Sequence, residues 1–117
     1  MNNYKNLKVW QKSVDLAVKV YELTQSFPKE EAYGLTSQIR RSAVSVASNV
    51  AEGSGRNSSK DFRNFLGIAH GSCYELETQI IIANKIGLLD RSAFETIQND
   101  IIEVQKMNFS LKNSLEN

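Results

Sequence analysis

Arg40, Arg56, Lys60 and Arg63 bring four cationic side chains around Gly53-Ser54-Gly55-Arg56-Asn57-Ser58-Ser59, a stretch of glycine and short polar residues. Side chains of this kind contact phosphate oxygens, which gives affinity for nucleic acid without sequence information. The glycine-rich stretch also leads into a helix start, where free backbone amides can receive an anion. It is not a nucleotide-binding P-loop, because the Gly-Lys-Ser/Thr ending is missing. A plain turn between two helices is the competing account. A second set, Arg41, Ser45, Asn49 and Glu52, falls at helical spacing, and Ser72, Glu75 and Gln79 are likewise spaced further along. Such groups must pair when buried, each lost partner costing about 1–3 kcal/mol. They fit a hydrogen-bonded network, within the molecule or at a subunit boundary, and also a ligand site.

Covalent and metal chemistry find little material. One histidine, His70, and one cysteine, Cys73, leave no Ser-His-Asp arrangement for nucleophilic catalysis. Cys73 is spaced with Ala69, Leu76 and Ile80 as a small buried hydrophobe, and a lone cysteine makes no internal disulfide. Glu75 and Glu77 point to different helix faces, and the Glu-x-x-His spacing of di-metal carboxylate bundles is absent. Glu52 and Glu75 can meet between helices, in a structural network in preference to a metal site. The expectation is a non-enzymatic protein with no metal and no cofactor.

With 117 residues, 41% hydrophobic and 23% charged, the chain has material for one folded domain and is not disordered. A formal net charge of +1 argues against strong, diffuse attraction to nucleic acid or anionic membrane. The charge is uneven, however. Lys5, Lys8, Lys12 and Lys19 face only Asp15 near the start, while the last stretch, from Asp90 on, is richer in Asp and Glu than in Lys and Arg, so local basic surfaces remain compatible with the total. Met1-Asn2-Asn3-Tyr4-Lys5 lacks the apolar run of a signal peptide, and no stretch approaches a membrane span. A cytoplasmic protein with no membrane partner is the expectation.

Four helices must position these side chains, since the chain has a single proline and few glycines. The first is predicted over Leu7 to Thr24, with Trp10, Val14, Ala17 and Tyr21 in one stripe and Val9, Leu16, Val20 and Leu23 in a second. Phe27-Pro28 ends that segment. The second starts between Lys29 and Leu35, carries Leu35, Ile39, Ala43, Val46 and Val50, and stops at Gly53, which can close a helix in the left-handed conformation. The third starts from Ser58 as N-cap, with Asp61 placed for a capping box. Its apolar residues Phe62, Leu66, Ala69, Cys73, Leu76, Ile80 and Ala83 alternate steps of four and three, and it ends near Gly87. The fourth follows Asp90 as cap, with Leu89 and Phe94 as a hydrophobic staple. Phe94, Ile97, Ile101, Val104, Leu111 and Leu115 continue the alternation. Asn108 interrupts it, and either fixes register or marks fraying. The predicted fold is all-α, residues 1–117 forming one antiparallel up-down-up-down four-helix bundle.

Several segments in order, Lys8-Val9-Trp10-Gln11-Lys12, Phe27-Pro28-Lys29-Glu30-Glu31, Tyr33-Gly34-Leu35, Gln38-Ile39-Arg40-Arg41, Asn49-Val50-Ala51-Glu52-Gly53 and Gly71-Ser72-Cys73-Tyr74-Glu75-Leu76-Glu77, resemble the 23S rRNA intervening-sequence proteins, a family also labelled as ribosomal proteins. The resemblance implies a four-helix bundle assembled as a ring-like homopentamer. Some members are encoded by insertions in large-subunit ribosomal RNA genes. A related branch assists the reverse transcriptase of diversity-generating retroelements and binds nucleic acid through a basic surface of its pentameric barrel. His70 departs from the pattern, standing where the family commonly has arginine, and an unperturbed imidazole is mostly uncharged at neutral pH. Arg63, Asn64 and His70 also resemble the motif of helical ribonucleases of the HEPN type, with one residue more in the spacing. That resemblance implies Arg63 on a scissile phosphate and His70 in proton transfer.

The expected function is a homo-oligomer, pentameric by resemblance, that binds RNA or DNA through Arg40, Arg56, Lys60 and Arg63. A few charges per subunit act with avidity when repeated around a ring. The alternatives are an interaction adaptor without nucleic-acid binding and a nuclease using Arg63 and His70.

Overall fold

Four α-helices follow one another in the computed structural model, which describes residues 3–115: α1 (Lys8–Thr24), α2 (Leu35–Ser54), α3 (Ser59–Lys85) and α4 (Arg91–Ser114). Short 3-10 turns at Tyr4–Asn6 and Lys29–Glu31 lead into α1 and α2, and there is no strand among the described residues. At 1.5 Å per residue α3 alone is about 40 Å long, yet the whole molecule measures only 45 × 23 × 20 Å. Consecutive helices therefore have to double back. Each packs on its neighbours in the chain, and α4 closes against α1, so the diagonal pairs face each other only across the core.

Local chemistry sets where the helices begin and end. Ser58 Oγ accepts the Asp61 N–H at 3.1 Å, and Asp90 Oδ1 accepts the Ala93 N–H at 2.8 Å, so both predicted N-caps are in place. α3 closes in a Schellman arrangement: the Leu88 N–H donates to the Ala83 carbonyl and the Gly87 N–H to that of Asn84. Gly87 adopts φ +86°, a conformation that L side chains rarely take.

The seven-residue stripe of α3 is buried throughout, against Ile39, Ala43, Val46 and Val50 of α2 and Ile97, Ile101 and Val104 of α4. α1 enters the core with Val9, Leu16 and Val20, whereas Trp10 and Ala17 pack at its margin and Tyr21 stays 44% exposed. Ser13 and Thr24 complete the buried line of α1, which the apolar residues alone do not reveal. Each hydroxyl donates back to the carbonyl four residues earlier, Ser13 to Val9 at 2.6 Å and Thr24 to Val20 at 2.8 Å. Neither donor is left unpaired.

Two expectations about α2 and α4 are resolved by packing. Gly53 does not stop α2 in a left-handed conformation: the helix runs through it to Ser54, and among the described residues it is Gly87 that has a positive φ. A Cβ at Gly53 would lie 2.6 Å from Phe65 Cβ and 3.0 Å from Phe62 Cδ1, so glycine is what lets α2 and α3 approach. α4 does not fray at Asn108. That side chain is fully buried, and its Nδ2 donates to the Leu66 carbonyl of α3 at 2.8 Å, which ties the register of the two helices.

Candidate nucleic-acid interface

The antiparallel course brings the start of α1, the end of α2, the start of α3 and the end of α4 together. Arg63 Nη1 donates to the Leu115 carbonyl at 2.8 Å. Leu7, Lys8 and Val9 line a cleft with Lys106, Met107 and Leu111, while Ser54, Arg56, Ser58 and Phe62 line another with Leu115. Lys5, Lys8 and Lys12 come to this end from the start of the chain, Arg56, Lys60 and Arg63 from the α2–α3 turn, and Lys106 and Lys112 from α4. Eight cations thus meet three carboxylates, Glu52, Asp61 and Glu103. Two of those are already paired, Glu52 with Arg56 at 2.7 Å and Glu103 with Lys12 at 3.6 Å. The other described residues carry six cations against nine carboxylates. A nearly neutral chain is therefore polarised along its length.

Arg56, Lys60 and Arg63 share this basic end, but Arg40 does not. Sixteen residues of sequence separate Arg40 from Arg56, and the helical rise makes that about 24 Å. Arg40 clamps the end of α1 instead. Its Nε donates to Thr24 Oγ1 at 2.8 Å, its Nη2 to the Tyr21 carbonyl at 3.4 Å, and its guanidinium lies 4.6 Å from the Tyr21 ring centroid. Helix C-termini leave carbonyls in need of such donors. Arg63 serves α4 in the same way through Leu115, and Arg56 also lies over the Phe65 ring at 4.6 Å. Lys60 is exposed. Lys5, Lys8, Lys12, Lys106 and Lys112 lie outside the predicted set. The basic start of the chain was the signal for the first three, but its place beside the α2–α3 turn depends on how the helices reverse.

The polar stripe divides. Ser45 Oγ and Ser72 Oγ lie 2.9 Å apart across α2 and α3, and Asn49 Nδ2 donates to the Ser45 carbonyl at 2.8 Å and to its Oγ at 3.0 Å. Glu52 turns to Arg56, and Arg41 and Glu75 are exposed with no ion pair among the described residues. Gln79 Oε1 is enclosed without a hydrogen-bond partner. Asn49→Ala should therefore cost about 1–2 kcal/mol, a fall of roughly 5–10 °C in Tm for a domain of this size. Glu52→Ala loses only an exposed pair one helical turn apart, and its Tm should move by about 2 °C or less. Thermal unfolding followed by circular dichroism checks both. Equal losses would mean that Glu52 belongs to the network after all.

His70 Nε2 shares a 3.0 Å hydrogen bond with Tyr74 Oη, and Arg63 holds Leu115. Cys73 is fully buried, and burial, with a smaller contribution from the nearby Glu77 carboxylate, pushes its thiol up to about 12. No group of three His, Cys, Asp or Glu side chains among the described residues is placed to hold a metal ion. No helix among those residues is long and apolar enough to cross a membrane.

No curated protein matches this chain. The fold is similar to the crystal structure of a protein of unknown function from the S23 ribosomal protein family of Bacteroides thetaiotaomicron. That likeness has a TM-score of 0.84 and 29% sequence identity, covering 90% of this chain and 95% of the other. Residues 5–110, which span α1 to α3 and most of α4, match the 23S rRNA-intervening sequence protein family, and the chain belongs to that family.

Proposed function

We propose that this chain is a non-enzymatic helical scaffold that associates with further copies of itself and holds RNA at its basic end. The observation that carries this reading is the separation of charge: cations from α1, α3, α4 and the α2–α3 turn converge at one end of a chain whose formal net charge is only +1. The family's link to 23S rRNA supports RNA as the polyanion. A cytoplasmic location goes with it.

Exposed apolar side chains support self-association. Val18, Tyr21 and Val44 border an apolar groove between α1 and α2, with exposures of 52%, 44% and 42%. Ile68, Ile82 and Ile86 form a separate ridge on α3, with 53%, 43% and 58% exposed. Two unlike faces on one subunit suit a head-to-tail contact, which generates a closed ring when the rotation permits. A pentameric ring, as the family resemblance implies, would set five basic ends around one rim and raise affinity through avidity.

Light scattering at micromolar concentration should give a mass several times 13.2 kDa. Affinity for a structured RNA should fall steeply with salt, by about 0.9 logarithmic units per tenfold salt for each duplex phosphate neutralised. A monomeric mass would remove the ring. Absence of binding at low salt would favour an adaptor, for which the apolar α1–α2 groove is the specific support. Turnover of RNA that disappears in His70→Ala would overturn the non-enzymatic reading and establish the nuclease.

A further inference from the structure

His70 and Tyr74 stand one turn apart on α3, their rings edge to face with centroids 4.6 Å apart. Phe109 of α4 approaches the imidazole at 6.3 Å, with the two planes inclined by 39°. Tyr74 and Phe109 are nevertheless each 55% exposed, and neither packs against the hydrophobic core. A single exposed apolar side chain is ordinary. Three rings gathered in one outer groove between two helices call for an occupant.

The groove has a direction. Toward the basic end, Arg63 precedes His70 by seven residues on the same stripe of α3, and Lys112 follows Phe109 by one turn of α4. Arg63 commits Nη1 to the Leu115 carbonyl, but a guanidinium carries further N–H donors. On the opposite side Glu77 accepts a hydrogen bond from Gln105 Nε2 at 3.3 Å. A polyanion is drawn to one side of the rings and repelled from the other. The aliphatic ridge suited to helix packing, Ile68 and Ile82, lies about a quarter to a third of a turn around α3 from Tyr74, which leaves the aromatic groove clear of that contact.

We propose that this groove binds unpaired nucleotides of RNA, with bases stacked on Tyr74 and Phe109 and the flanking phosphates held by Arg63 and Lys112. The inference rests on the basic end being an RNA interface, and it adds a preference for single-stranded segments. Every base has a π-face that can stack on an aromatic ring, whereas a duplex keeps those faces covered.

Fluorescence anisotropy of the full-length protein with a short labelled oligouridylate, and separately with a fully paired RNA duplex, provides the test. Tyr74→Ala and Phe109→Ala should each weaken oligouridylate binding by about fivefold or more, the low end for loss of one base–aromatic stack. The salt dependence should stay the same, because no phosphate contact is removed. Phe109→Trp, which keeps a ring, should bind as tightly as the parent, and duplex binding should be equal in all four proteins. Equal weakening on both RNAs, or no weakening on either, would overturn the proposal. A changed assembly mass in the alanine variants would overturn it too, by assigning the rings to a contact between copies. A parent protein that binds duplex but not oligouridylate sinks this inference and leaves the basic-end reading standing; one that binds neither sinks both.

Discussion

Changing Lys8, Lys60 and Lys106 together to glutamate should weaken binding to a structured RNA on the order of a hundredfold at about 50 mM salt. The three lie on α1, α3 and α4, all are exposed, and none has an ion-pair partner among the described residues. Each phosphate contact removed also takes about 0.9 from the slope of log affinity against log salt, so the dependence should flatten by roughly two to three units. The fold should survive. A glutamate at position 60 even suits the first turn of a helix, where the backbone favours negative charge. The matching reversal of Lys29 and Lys85 at the far end should leave RNA affinity within about twofold of the parent, because phosphate contacts there are not expected. Equal losses from both sets would mean that total charge, and not its placement, governs binding.

Gly53→Ala and Gly71→Ala should move thermal stability in opposite directions, although both residues lie inside helices. Alanine is favoured over glycine in a helix interior by about 1 kcal/mol. At Gly71 a new Cβ meets nothing within 4 Å, so that gain should appear as a Tm higher by a few degrees. At Gly53 the same atom would lie 2.6 Å from Phe65 Cβ, an atom fixed to the α3 backbone that no rotamer change can move. The helices have to separate, at an overpacking cost of about 1–3 kcal/mol or more. A net fall in Tm on the order of 5–10 °C is expected from circular dichroism melts. Stabilisation by both substitutions would show that α2 and α3 do not approach this closely.

The contrast between those glycines shows what can be read along the chain. The buried face of α3 was legible because its seven apolar residues repeat at helical steps, and the caps at Ser58 and Asp90 were legible because short acceptors precede apolar runs. Gly53 was misread because a glycine near a helix end looks the same whether it terminates the helix or admits a neighbour. Ser13 and Thr24 escaped notice because each hydroxyl donates to a carbonyl of its own helix, which lets a polar residue into the core; Thr24 also accepts from Arg40 of α2.

The basic end was partly visible. Arg56, Lys60 and Arg63 are close in the chain and stay close in space. Arg40 looked like a fourth member, but a continuous helix carries it away from them. Lys106, distant in sequence, arrives because α4 runs back beside α1. Net charge concealed all of this, since it records how many charges there are and not where they stand. The polar stripe failed differently: helical spacing aligned its residues, but only Ser45, Asn49 and Ser72 lie close enough to one another to bond.

Lysine acetylation of the full-length protein, with and without a bound structured RNA, locates the interface directly when read by mass spectrometry. Lys8, Lys60 and Lys106 should be protected by RNA, while Lys29 and Lys85 react at unchanged rates. Protection of Lys29 and Lys85 to the same degree, or protection of none of the five, would contradict an RNA interface at the basic end.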